Sequence, residues 1–115
     1  MGRPRRFHIP DAYTTIQLEI LPEIQDLIDD DDRNTFLTIL RTKAEELGYE
    51  LHGRNLGREL FELCVKTPQE IVNRTTSSLM HSVKTCFTNT FNRKHGRTGT
   101  MWRRRFQVRG WLSVR

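Results

Sequence analysis

The hydrophobic positions along the chain predict alternating strands and helices. Residues 14–20 (TTIQLEI) alternate apolar and polar side chains with a period of two, as in a strand with one buried face. Four consecutive aspartates at 29–32 then precede a segment with helical periodicity. Its apolar positions are Phe36, Leu37, Leu40, Ala44 and Leu47. Aspartate is favoured at an N-cap and in a first turn, so we predict a helix that begins at this run and ends at Gly48.

Two strand patterns follow, at 49–56 and 60–66, close enough to form a hairpin around Gly57 and Arg58. TPQE at 67–70 then predicts a second helix start, with a capping threonine, a proline at the first helical position and a glutamate at the third. This helix should run to about Asn92. Its apolar stripe is Val72, Leu79, Met80, Val83, Phe87 and Phe91. A last strand-like piece at 105–114 is predicted to pair at a sheet edge.

This order of elements predicts an α+β fold, a ferredoxin-like antiparallel sheet packed against helices. With 115 residues the chain is at most one domain, which we place at 1–115. No apolar run approaches the roughly 20 residues that span a bilayer. The N-terminus, MGRPRRFHIP, lacks the apolar stretch of a signal peptide, so we predict a cytoplasmic protein with a basic arm at 1–10.

Charge is distributed unevenly along the chain. Residues 1–66 carry nine Lys or Arg and thirteen Asp or Glu, a net charge of −4. Residues 67–115 carry ten Lys or Arg and one acid, a net charge of +9. A basic half suits a polyanion, because each neutralised phosphate releases condensed counterions. The acidic half is a candidate surface for a protein partner.

The densest cationic stretch, FNRKHGRTGTMWRRRF, opens the basic C-terminal segment at 91–115. Gly96 and Gly99 allow sharp bends, and arginine forks suit phosphate oxygens. We predict nucleic-acid contacts from Arg93, Lys94, His95, Arg97, Trp102, Arg103, Arg104 and Arg105. Trp102 would offer a stacking face for an unpaired base. The alternative is a solvated basic surface, in which Phe91, Trp102, Phe106 and Trp111 only close the core. The arm likewise either extends the charged surface or is a frayed terminus.

Five segments of the chain together resemble the single-tyrosine HUH transposases of the REP-associated insertion-sequence type: MGRPRRFHIPDA, DDDDRNTFLTIL, GYELHG, LCVKTP and FNRKHGRTGTMWRRRF. The resemblance spans essentially the whole chain. It implies a ferredoxin-like domain that recognises DNA hairpins and cuts single-stranded DNA beside them. In that family a tyrosine attacks a phosphodiester, and a divalent ion held by two histidines polarises the phosphate.

The same resemblance implies that the catalytic groups are absent here. The family carries His, a bulky apolar residue and His just before the equivalent of LCVKTP, and in this chain Leu60 and Glu62 stand at the two His positions. His52 matches a family position outside that pair. The nucleophilic tyrosine lies on a helix beyond the segment matching MWRRRF, and neither Tyr13 nor Tyr49 corresponds to it. We expect no metal, no cofactor and a chain that ends before the catalytic helix.

The sequence therefore predicts a transposase-derived protein that binds single-stranded or hairpin DNA without cleaving it. One alternative is a structural RNA-binding subunit of a ribosome-associated ribonucleoprotein, which buries its basic half on RNA. Another is an active transposase completed by a partner chain. The sequence leaves open the choice between DNA and RNA, the bound sequence, the oligomeric state and whether the gene is a remnant.

Overall fold

A computed structural model describes residues 12–66, 76–103 and 107–113. The elements are strand β1 (Ala12–Glu19), a 3-10 turn (Pro22–Ile24), helix α1 (Asp30–Leu47), strands β2 (Glu50–Leu56) and β3 (Leu60–Lys66), helix α2 (Thr76–His95) and strand β4 (Gln107–Ser113). The helix start predicted at 67–70 lies outside the described residues. The predicted strands and both helices are otherwise confirmed, and α2 continues three residues beyond the predicted end at Asn92.

The four strands form one sheet in the order β2-β3-β1-β4, and every neighbouring pair is antiparallel. β1 and β3 are central, so β3 lies between the two strands that α1 connects. This β-α-β-β-α-β arrangement is the ferredoxin-like fold, as predicted. β4 pairs with β1 at one edge of the sheet, which is the position predicted for the last strand-like piece.

One face of the sheet carries the core. Alternate residues of β1 and β3 are buried there, and the apolar sides of α1 and α2 pack against them. The buried strand residues are Thr14, Ile16, Leu18, Phe61, Leu63 and Val65. Large aliphatic and aromatic side chains buried in this way contribute about 1.5 to 3 kcal/mol each. Intervening residues are half-buried on the opposite side of the sheet, which we call the open face: Tyr13, Thr15, Gln17 and Glu19 of β1 and Leu60, Glu62, Cys64 and Lys66 of β3.

The aspartate run starts α1 as its chemistry predicts. Asp29 is the N-cap and forms a capping box with Asp32, in which each side chain accepts a hydrogen bond from the other's backbone N–H. Gly48 ends the helix with a φ of 82°, the left-handed region that glycine occupies at least cost. Among the described residues, no helix combines the length and apolar character needed to cross a bilayer.

Candidate nucleic-acid interface

The predicted basic segment begins on the last turn of α2 and continues through a glycine-containing turn. Gly96 and Gly99 both have positive φ, 63° and 93°, so the backbone bends sharply at the two predicted positions. The Arg97 N–H donates to the Asn92 carbonyl at 3.0 Å, and the Asn92 amide donates to the Gly99 carbonyl at 2.9 Å. Hydrogen bonds thus hold the turn against the helix end.

Lys94 and His95 do not project freely toward a ligand. Lys94 Nζ donates to Asp32 Oδ1 at 3.0 Å and to both carboxylate oxygens of Asp29 at 3.2 Å. His95 Nε2 lies 3.1 Å from Asp32 Oδ2. Because α1 and α2 are antiparallel, the acidic start of one helix meets the basic end of the other. Carboxylates from the acidic half of the sequence and cations from the basic half are therefore in direct contact where the two helices meet.

The hydrogen bonds of this helix-end cluster shift two pKa values. The Asp32 N–H, followed by Lys94, holds the pKa of the Asp29 carboxyl below its usual value. Hydrogen bonds to Asp32 and Asp29 raise the pKa of Lys94. Both shifts favour the charged forms, so the cluster is an ion-pair network at neutral pH. A phosphate contact from Lys94, whose side chain is 42% exposed, or from His95 would compete with the aspartates of α1.

Arg97, which was predicted to contact nucleic acid, forms hydrogen bonds within the turn that follows α2. Its Nη1 donates to Asn92 Oδ1 at 2.6 Å and its Nη2 donates to the Thr100 carbonyl at 3.2 Å. The guanidinium carbon lies 5.8 Å from the centre of the Phe91 ring, which is a cation–π contact. Much of the donor capacity of this arginine is already used within the protein, so its predicted phosphate contact would compete with these interactions.

Trp102 lies in the core. It is 7% exposed, its ring packs near Phe36, Phe61 and Phe87, and its Nε1 donates to Thr88 Oγ1 at 3.0 Å. Lys84 Nζ is 5.7 Å from the centre of the indole ring, and burial lowers the pKa of this lysine. A base has no open ring face to stack on in this arrangement. The alternative in which Trp102 closes the core therefore describes its position, and the stacking role does not.

Three of the predicted contact residues are exposed, and one of them is Lys94, which takes part in the helix-end ion pairs. Arg93 lies on the last turn of α2, and Arg103 follows Trp102, with its backbone N–H bonded to the Glu19 carbonyl at 2.8 Å. Arg104 and Arg105 lie outside the described residues, as does the predicted basic arm at 1–10. The structure thus divides the predicted set into an internally bonded group and an exposed group.

Leu60 and Glu62, at the two positions where the resemblance implies metal-binding histidines, share the open face of β3. Glu62 pairs with Gln17 across the sheet, and Gln17 Nε2 donates to Glu62 Oε2 at 2.6 Å. Leucine offers no lone pair to a metal ion. Within residues 12–66, 76–103 and 107–113, no group of three or more His, Cys, Asp or Glu side chains is arranged to hold a metal ion.

His52 lies on β2 and belongs to a different local cluster. Its ring makes an edge contact with Tyr13 at 4.8 Å between centroids, and its Nε2 lies 3.0 Å from Glu50 Oε1. The β2–β3 pairing shifts register between Leu51 and Gly53, so His52 occupies an irregular position in the strand. Its neighbours are an aromatic ring and one carboxylate.

Two solved structures share this architecture. A REP-associated tyrosine transposase bound to a REP hairpin matches with a TM-score of 0.68 and 16% sequence identity, over 100% of this chain and 63% of that chain. A protein assigned as a transposase from Deinococcus radiodurans R1 matches with a TM-score of 0.63 and 19% identity, over 100% of this chain and 87% of that chain.

This chain has the fold of the tyrosine transposases. The resemblance seen in the sequence is confirmed at the level of the fold, and the chain spans 63% of the length of the hairpin-bound transposase. No family model and no curated protein sequence matches it.

Proposed function

We propose that this protein binds hairpin or single-stranded DNA without cleaving it. The observation that carries the proposal is the pair Leu60 and Glu62 on the open face of a transposase fold, where the resemblance implies two metal-binding histidines. The hairpin bound to the first solved relative supports this class of ligand.

The chemistry of these two side chains argues against metal-assisted cleavage. A divalent ion speeds phosphoryl transfer by polarising the phosphate, which is worth several kcal/mol of transition-state stabilisation. Glu62 is a single hard ligand, and its carboxylate already accepts a hydrogen bond from Gln17. Leu60 supplies no second ligand. Cleavage that depends on an ion at this position would therefore lose its principal electrostatic aid.

Binding is proposed to rely on the exposed part of the basic segment. Arg93 and Arg103 carry exposed guanidinium groups, and Arg104 and Arg105 continue the same stretch of sequence. Guanidinium forks bind phosphate oxygens in two-point fashion and do not depend on base identity. We propose these four arginines as the contact set in place of the eight residues of the sequence-based prediction.

The test of binding is the salt dependence of affinity for a fluorescent DNA hairpin. The affinity should fall steeply with salt, and an Arg103→Ala, Arg104→Ala, Arg105→Ala variant should flatten the slope of log K against log salt by up to about 2 to 3 for three lost contacts. A variant with Lys43 and Arg58 changed to Ala removes cations outside the basic segment and serves as the control. A slope for the triple variant equal to that of the control would show that the segment is not the contact surface.

The absence of cleavage has its own test. The protein is incubated with end-labelled hairpin DNA and Mg²⁺ or Mn²⁺ and then denatured before electrophoresis. We expect neither shortened DNA nor a covalent protein–DNA adduct. An adduct would favour the alternative of an active transposase completed by a partner chain. Competition by a structured RNA hairpin at equal ionic strength separates the ribonucleoprotein alternative, which requires RNA to displace DNA.

A further inference from the structure

A polar groove lies between α1 and the edge strand β2, away from the C-terminal basic segment in sequence. Its volume is about 570 Å³. Arg33, Asn34 and Arg54 line it, beside Asp30, Leu37 and Leu56. These residues belong to the half of the chain with a net negative charge, so composition alone does not reveal the groove.

The helix period and the strand register bring these side chains together. Arg33, Leu37 and Arg41 are spaced four apart and therefore lie along one side of α1. Arg54 pairs with Leu63, whose side chain is buried under the helices, so Arg54 lies on the helix side of the sheet. Since β2 is an edge strand, this side of the sheet reaches solvent at Arg54.

The groove carries a net positive charge from Arg33 and Arg54, and the ion pair within it is weak. Asp30 is its one carboxylate and bonds Arg33 Nη1 at 3.2 Å through a side chain that is 98% exposed. An ion pair with so exposed a carboxylate contributes little to stability, so Asp30 competes only weakly with another anion for the Arg33 Nη atoms. Arg33 Nε is buried and has no hydrogen-bond partner among the described residues, so the internal partners of this guanidinium leave part of its donor capacity unused.

We propose that this groove binds a backbone phosphate of a polynucleotide, a second contact surface beside the C-terminal arginines. Arg33 and Arg54 supply the charge, and the amide of Asn34 supplies a neutral donor. An adjoining groove of about 440 Å³ shares Arg54 and adds Arg41, but it also holds the carboxylates of Glu45 and Glu50, so the proposed phosphate site is limited to the groove that Arg33 and Arg54 line. The inference rests on the proposed function, because its ligand is the nucleic acid that the protein binds there.

The experiment compares two double variants with the same loss of charge. Arg33→Gln with Arg54→Gln removes the groove cations. Lys43→Gln with Arg58→Gln is the control, since neither residue lines the groove and Arg58 is ion-paired with Asp26. Binding of the fluorescent DNA hairpin is measured over a salt series. The groove variant should flatten the slope by about 1.4 to 1.8, for two lost contacts, and the control should keep the parent slope.

A direct readout accompanies the affinities. The arginine Nε–Hε resonances of Arg33 and Arg54 should shift when the hairpin is added to the parent protein, and that of Arg58 should not. If the groove variant does not fold, Arg54→Gln alone is compared with Arg58→Gln, and half the slope change is expected.

The outcomes separate this inference from the function on which it rests. A parent protein that binds neither DNA nor RNA overturns both. A parent that binds, with the same slope for the groove variant and its control and with unmoved Arg33 and Arg54 signals, overturns the groove alone. A flattened slope for the groove variant supports it, whatever the result for the variant at 103–105.

Discussion

Asp32 joins the start of α1 to the end of α2 through a carboxylate that is 4% exposed. It accepts hydrogen bonds from the Asp29 backbone and from Lys94, and its Oδ2 lies within hydrogen-bond distance of His95. A buried carboxylate costs free energy unless such partners surround it. The Asp29 N–H, Lys94 and His95 are three such partners of the Asp32 carboxylate, so we expect this carboxylate to stabilise the packing of α1 against α2.

We expect Asp32→Asn to lower the free energy of unfolding by about 1 to 3 kcal/mol, because the amide cannot replace the charge that Lys94 and His95 face. Asp31→Asn is the control, since it removes the same charge from the same helical turn at an exposed position and should change stability by less than about 0.5 kcal/mol. Urea denaturation at neutral pH measures both. Similar losses for the two variants would contradict the role of Asp32.

The same cluster predicts a pH dependence of stability with two limbs. The pKa of Asp29 is lowered on folding, so its contribution is complete above the usual value of 3.8 and is lost as pH falls through the lower folded value. The pKa of Lys94 is raised, so its contribution is complete below 10.5 and is lost as pH rises through the higher folded value. Asp29→Asn should flatten the acid limb in urea midpoints measured between about pH 2 and 5. Asp31→Asn should retain that limb, and loss of the limb in both would contradict the assignment.

At the scale of elements, α2 and the turn that follows it form one packed unit. The turn returns the chain so that Met101 and Trp102 are buried beside the helix, and an isolated bridge pairs Ile20 with Trp102. The Trp102 indole N–H bonds Thr88, two turns back along α2 from its last residues. The aromatic and cationic residues of one sequence motif thus have different roles, since the rings fill the core and some cations reach solvent.

We expect Trp102→Leu to lower the free energy of unfolding by about 3 kcal/mol, since it removes a large buried ring. Thr88→Val should cost about 1 kcal/mol, because it removes only the partner of the indole N–H. At a temperature where both variants are folded, their affinity for the DNA hairpin should match that of the parent. Loss of a base-stacking contact would instead weaken binding by about 1 to 3 kcal/mol in Trp102→Leu alone, and that result would restore the stacking role.

At the scale of the whole molecule, cations adjacent in sequence differ in whether the fold neutralises them. Lys94 faces two carboxylates, and its neighbour Arg93 is exposed. Only charge that is not already balanced attracts a polyanion and releases its counterions. Net charge therefore overstates the surface available to DNA, and the structure is needed to locate it.

Arg93→Gln and Lys94→Gln each remove one positive charge at adjacent positions. We expect the first to affect DNA binding and the second to affect stability. Arg93→Gln should flatten the salt slope of hairpin binding by about 0.7 to 0.9 and change stability by less than about 1 kcal/mol. Lys94→Gln should lower the urea midpoint and leave the slope nearly unchanged. A flattened slope for Lys94→Gln would show that DNA displaces the aspartates from this lysine.

Local patterns were sufficient for most of the fold. The alternation in β1 and β3, the aspartate cap of α1 and the hairpin between 49–56 and 60–66 all depend on neighbours within a few residues, and all are confirmed. The candidate site was less predictable. The bends at Gly96 and Gly99 were predicted, but the helix continues through His95, three residues beyond its predicted end. Cations that are bonded internally and cations that reach solvent look alike in the sequence.

The sequence by itself determined the elements, their order and the unequal charge of the two halves, because periodicity, capping and composition are properties of the chain. Tertiary structure alone decided which charges remain available, since Asp32 and Lys94 are 62 residues apart and meet only when the helices pack antiparallel. It also decided that Trp102 lies inside and that Arg33 and Arg54 share a groove. The physical reason is that burial and ion pairing depend on distances in space, which sequence separation does not specify.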